Sequence, residues 1–246
     1  MLMTPDNHQS ENTQFVCHSA RVQSYRFIHK ALRALMFRTL QQVASLDADD
    51  AGERTTMVAQ VEELLQVCSD HLDHENRFFH SALRERAPRA VMPFDDDHDD
   101  HVGTIAQLRH QLDQVAMGGS AAAQHAYALY LGLTRFVGEN LEHMAEEETT
   151  LTRTLWQHFS DDEIHALEGR LQASFAPQES AYYLRWMARS LNHAELATLM
   201  QGARAGMPAA AFAELCDLVR DALPQNRWAR LSRTLGVQAV PGLATA

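Results

Sequence analysis

The chain has 246 residues, 46% of them hydrophobic, with only 11 Gly and 7 Pro. That is ample for a packed core and poor in helix breakers. A formal net charge of −11 with neutral histidines excludes a general binder of nucleic acid or of an anionic membrane surface.

The cysteines Cys17, Cys68 and Cys216 are odd in number and lack CxxC spacing, which argues against a disulfide framework and for a reducing, cytoplasmic location. Residues 1–12 are polar, without the basic and apolar segments of a secretory leader. No run reaches the roughly 18 apolar residues of a membrane span. Ala, Leu, Glu, Gln and Arg abound, and no alternating β-branched run occurs. The expected fold class is therefore all-α.

Residues 1–21 show no helical period and are expected to form an N-terminal arm. From Val22 a stripe of Val22, Tyr25, His29, Leu32, Met36, Leu40 and Val43 predicts a first helix. The linker Asp47-Ala48-Asp49-Asp50 follows it. A second helix is expected over residues 53–83, with Met57, Leu64, Val67, Cys68, His71, Glu75 and Phe78 on one side. On an unbroken α-helix His80 points to the opposite side.

Residues 88–93 read as a loop, and Asp95, Asp96, Asp97, Asp99 and Asp100 as charge that solvates it. A third helix extends to about residue 116 through Ile105, Leu108, Leu112 and Val115. His101 falls in line with these residues, and His98 lies one turn earlier, slightly off-centre. After the break at Gly118-Gly119-Ser120, a fourth helix over residues 121–156 turns Leu129, Leu133, Phe136, Asn140, His143, Glu147 and Leu151 inward.

Four long amphipathic helices with short connections predict an antiparallel up-down four-helix bundle over residues 22–158. Residues 159–246 are expected to form a helical C-terminal domain of shorter pieces: 161–174, 178–190, 193–204, 209–222 and 225–235. Capping patterns at Ser160/Glu163 and Asn192/Glu195 mark two of the starts, and Pro177, Pro208 and Pro224 mark others.

Two stretches repeat each other: His71-Leu72-Asp73-His74-Glu75 and His143-Met144-Ala145-Glu146-Glu147. Residues at i and i+4 share a helix face with Cβ atoms about 5–6 Å apart, so an imidazole nitrogen and a carboxylate oxygen can reach one ion. A single HxxxE is usually a solvated face, and a lone His29 is usually a satisfied core histidine. Two HxxxE copies, both inside apolar stripes, are harder to explain that way.

The inward polar set is His29, His71, Glu75, His98 and/or His101, His143 and Glu147. Buried without partners, such groups are costly, and metal ions satisfy the whole set at once. Imidazole suits borderline divalent ions such as Fe, Zn, Cu or Ni, and carboxylates can bridge two of them. His80, His110, His125, His158, His165 and His193 lack partners at useful spacing and are assigned to the surface. Cys68 and Tyr25 are assigned to packing.

A histidine on helix one, HxxxE on helix two, histidine near the start of helix three and HxxxE on helix four together resemble the haemerythrin-like (HHE cation-binding) family. The resemblance implies a four-helix bundle that holds two iron ions with an oxo or hydroxo bridge, with zinc or a mixed pair as alternatives. It implies metal ligands at His29, His71, Glu75, His143 and Glu147, and on helix three at His98 and His101, of which His101 is preferred because it falls in line with the apolar positions. Haemerythrins carry HxxxH on helix three and His-x4-Asp on helix four. This chain has His98-x-x-His101 and His-x3-Glu instead, the latter similar to the intracellular branch.

The implied role is non-enzymatic: O2, NO or a related small oxidant bound at an open iron position for carriage, sensing or oxidative and nitrosative stress response. A di-metal oxidase or oxygenase ranks lower, because ferritin-like sites use ExxH on two helices. A helical regulatory module with a structural metal is the third reading, its C-terminal helices meeting a protein partner or a second copy.

Overall fold

The structure, a computed structural model, describes residues 20–239. Most of the expected N-terminal arm, with Cys17, lies outside the described residues. Among the described residues every regular element is helical and no strand occurs, and no helix is long and apolar enough to cross a membrane. Among the described residues the helices group into two compact units, one of residues 20–26 with Leu35–Ser174, the other of Phe27–Ala34 with residues 175–239.

Helix α1 spans Arg26–Ala44 and contributes to both units. The other long helices of the first unit are α2 (Ala51–Glu75), α4 (Pro88–Met117) and α5 (Ala122–Glu146). Asp50 caps α2 by accepting from the backbone N–H groups of Gly52 and Glu53 at 2.7 and 2.9 Å, so the chain is forced to turn there. Gly118, with φ of 67°, takes a backbone conformation that a side chain resists, and it ends α4. Helix α4 packs along both α2 and α5.

Both HxxxE helices continue beyond their glutamates, but not as α-helix. After α2 the backbone makes a π turn over Asn76–His80 and then resumes as α3 (Ser81–Arg86). After α5 a second π turn covers Glu147–Leu151, followed by α6 (Thr152–His158).

One expectation is corrected here. Residues 88–93 are not a loop: Pro88 takes the first helical position, where its missing N–H costs nothing, and Pro93 lies inside α4. The acid cluster therefore sits on a helix, with Asp95 and Asp97 on opposite flanks of the inward Phe94–His98 line.

Apolar layers close the first unit on both sides of residues 71–80 and 143–147. One layer holds Leu64, Leu65, Leu108, Leu129, Leu133 and Phe136, all buried. The other joins Tyr25, Phe79, Leu83, Val91, Leu151 and Trp156 to Ile164 and Leu167 of α7 (Asp161–Ser174). The capping box is present at the start of α7: the Ser160 N–H donates to Glu163 Oε2 at 2.8 Å and the Glu163 N–H to Ser160 Oγ at 3.3 Å.

In the second unit α8 (Pro177–Ser190), α9 (His193–Gly206), α10 (Ala209–Ala222) and α11 (Gln225–Leu235) bury Leu191, Met200, Phe212, Val219 and Trp228 together. These spans follow the predicted pieces closely, because proline and cap residues mark the starts. Asn192 and Glu195 form a reciprocal capping box, and Glu195 also accepts from Lys30 Nζ at 2.6 Å.

Candidate metal centre

The π turns decide which side chains face the interior. An i→i+5 turn carries one more residue round the axis than an α turn. A residue five places beyond a glutamate therefore returns to nearly the same face. His80 stands five places after Glu75 and is fully buried, not exposed as α-helical spacing requires. Thr152 stands five places after Glu147, is also buried, and its hydroxyl donates to the Glu147 carbonyl at 2.8 Å.

Glu147 Oε1 is the point of convergence. It lies 3.4 Å from His143 Nε2, 3.7 Å from His98 Nε2 and 3.9 Å from His80 Nε2. Glu75 approaches from the facing helix, its Oε2 3.7 Å from His98 Nε2 and its Oε1 3.2 Å from His71 Nε2. Glu75, His98, His143 and Glu147 are all buried, and each offers one ligand atom within 4.8 Å of the others.

Three imidazoles are held from behind at the opposite nitrogen. His80 Nδ1 meets Asp95 Oδ1 at 2.8 Å, His98 Nδ1 meets Asn76 Oδ1 at 3.1 Å, and His143 Nδ1 meets Asp97 Oδ2 at 3.2 Å. Oxygen acceptors at Nδ1 fix the ring orientation and present Nε2 to the glutamates, which is how metal-binding histidines are supported. Asp95 is itself gripped by Arg84, whose Nε and Nη2 donate at 2.8 and 2.7 Å.

Among the other expected ligands, His101 is buried but lies edge-on to His143 and to Phe136, at centroid distances of 5.0 and 6.1 Å. Its Nδ1 has no hydrogen-bond partner. His71 is partly buried on α2 beside Glu75. His29 is fully buried on α1, in the segment grouped with the second unit. One turn earlier on the same chain face is Tyr25, a first-unit residue.

The charges at the site pull in opposite directions. Burial works against protonating His143, but the charge and hydrogen bond of Glu147, with Glu75 and Asp97, raise it to about 9. Burial, reinforced by His98, pushes His80 down to about 4, and burial reinforced by His143 does the same to His101. The Tyr25 hydroxyl is pushed well above its ordinary value by burial, then by Glu147 and Glu75.

The donor set fits a metal. Two buried carboxylates and several Nε2 atoms meet in one place, in the nitrogen-and-oxygen mixture that borderline divalent ions prefer. Sequence reasoning missed His80, Asn76, Asp95 and Asp97. The signal for His80 was the spacing HxxxE-x4-H, which means nothing on an α-helix and becomes informative only across a π turn. His110, His158 and His165 are exposed as expected. His125 and His193 are half-buried.

The family model described as Hemerythrin HHE cation binding domain matches residues 22–155, a span that contains every residue of this cluster. No curated protein and no solved structure matches the chain significantly.

Proposed function

The chain belongs to the haemerythrin HHE cation-binding family, and on that premise we propose that it is a non-haem di-iron protein that binds O2, NO or a related small oxidant. The observation that carries the proposal is the approach of two buried glutamates, one from each HxxxE, to the same nitrogen: Glu75 and Glu147 each lie 3.7 Å from His98 Nε2. Carboxylates placed this way suit a bridge between two ions. His98 and His143, with His71 beside Glu75, would hold the ions from the imidazole side.

Bound iron would supply a ferrous–ferric couple with an open position for a small ligand. The chain's own part is to orient and to exclude water. Asn76 and Asp97 hold the His98 and His143 rings with Nε2 inward. The apolar layers above and below keep the carboxylates from hydration. Tyr25 holds its hydroxyl proton across the neutral range, because burial and two nearby carboxylates oppose ionisation. A buried setting with Phe94 beside His143 and Phe136 beside His101 suits a small apolar diatomic better than a polar organic substrate.

The test is metal analysis and an optical spectrum of protein purified without air and then exposed to O2 or to NO. A visible di-iron band that changes with either gas supports the proposal. A colourless zinc protein that responds to neither gas overturns it.

A further inference from the structure

His101, though buried on α4, lies T-shaped to Phe136 and is not among the residues whose ligand atoms converge with Glu75 and Glu147. We infer that His80, from the π turn after α2, is a metal ligand and supplies the third imidazole to the ion held by His98 and His143. This rests on the di-metal reading above and extends it to a residue outside the expected ligand set.

Four observations converge on His80. It is fully buried. Its ring stacks on that of His98, with centroids 4.5 Å apart and planes 17° from parallel, so the two rings approach the centre side by side. Its Nε2 lies 3.9 Å from Glu147 Oε1, the oxygen that His98 and His143 also approach. Its Nδ1 donates to Asp95, and Arg84 clamps that carboxylate with two N–H groups.

A core histidine needs a partner for its polar edge, and Asp95 alone would satisfy that need. Nothing in that role requires the bare Nε2 to face a buried glutamate beside two other Nε2 atoms. A ligand role accounts for both nitrogens, and for the π turn that brings the ring inward. Asp95 is then a positioning residue that holds the ring and raises the basicity of Nε2.

The full-length chain and three variants are loaded with ferrous iron, and affinity is read by chelator competition together with the visible spectrum. The native chain is expected to take up two irons. His80→Ala should weaken one of them by about 100-fold, and Asp95→Ala by about 10–100-fold, the usual effect of removing a partner behind a ligand. His110→Ala, at an exposed histidine of α4, should leave both irons in place. Added imidazole should restore the lost iron and the band of His80→Ala, which a merely structural histidine would not allow.

If the native chain binds no iron, the di-metal reading fails and this inference with it. If the native chain binds two irons and folded His80→Ala keeps both with an unchanged spectrum, this inference alone is overturned. Should His80→Ala fail to fold, Asp95→Ala decides: weakened iron with a shifted band supports the ligand role, and native affinity with a native band overturns it.

Discussion

The Nε2 atoms of His98 and His143 face each other at 2.9 Å, each ring fixed from behind, by Asn76 and by Asp97. With each Nδ1 donating to an oxygen, the two rings can share such a contact only if one of them is also protonated at Nε2 and so carries a positive charge. The two buried glutamates place the positive charge on His143, which is held protonated up to about pH 9. A metal ion would take the place of that proton.

Metal-free protein should therefore be most stable near the ordinary histidine value of 6.5. His143 binds its proton more tightly in the folded chain, so its contribution is complete below pH 6.5 and is lost as pH rises through about 9. His80 and His101 bind theirs more weakly, with folded values of about 4. The unfolded chain then takes up more protons as pH falls from 6.5 through 4, and stability falls again. Urea unfolding of chelator-treated protein at pH 4, 6.5 and 9 checks this, and a curve rising steadily across the range would contradict it.

Metal uptake should release protons. At pH 7.5 the ion displaces the His143 proton, so about one more proton should leave than at pH 10, where the imidazole is already neutral. An indicator dye in weakly buffered solution measures the difference. Equal release at both pH values would show that His143 is not the protonated group.

Glu147→Gln should separate stability from metal binding. The amide keeps the shape of the side chain and removes one of two buried carboxylate charges, leaving the charge of His143 balanced by Glu75, so the metal-free protein should gain on the order of 1 kcal/mol in unfolding free energy. Iron content should fall at the same time, because the amide is a poor bridge. Denaturant titration and metal analysis of one preparation give both numbers. A variant that loses stability without metal would show that the carboxylate is needed for folding itself.

Asn192→Ala tests the second unit. The change removes the side chain that accepts the Glu195 N–H at 3.0 Å and should cost about 0.5–2 kcal/mol. Asn192→Asp should recover most of the loss. Equal stability of all three chains in denaturant titration would mean that the box is not holding the start of α9.

The two HxxxE pairs were legible because i and i+4 share a face on any α-helix, whatever surrounds it. The all-helical class and the starts of α7 to α11 were legible for a similar reason: proline, serine and asparagine caps act on their own immediate backbone. Nothing distant was needed to place Asn192 opposite Glu195. The third helix was harder, since Pro88, Pro93 and five aspartates look locally like a loop. Packing against α2 and α5 overrides that local preference.

The sequence by itself determined the helices, the apolar stripes and the two carboxylate–imidazole pairs, all of which follow from a period of 3.6 residues. Only the tertiary structure decided that the period breaks after Glu75 and at Glu147, where the backbone adopts i→i+5 turns. Those turns bring His80 inward and set it between His98 and Asp95. His98 rather than His101 meets both glutamates for a related reason: α4 begins seven residues before the acid cluster, at Pro88, and its rotation is set by packing against its neighbours. A helix's phase beyond a π turn, and its rotation about its own axis, are properties of the packed bundle that no single segment encodes.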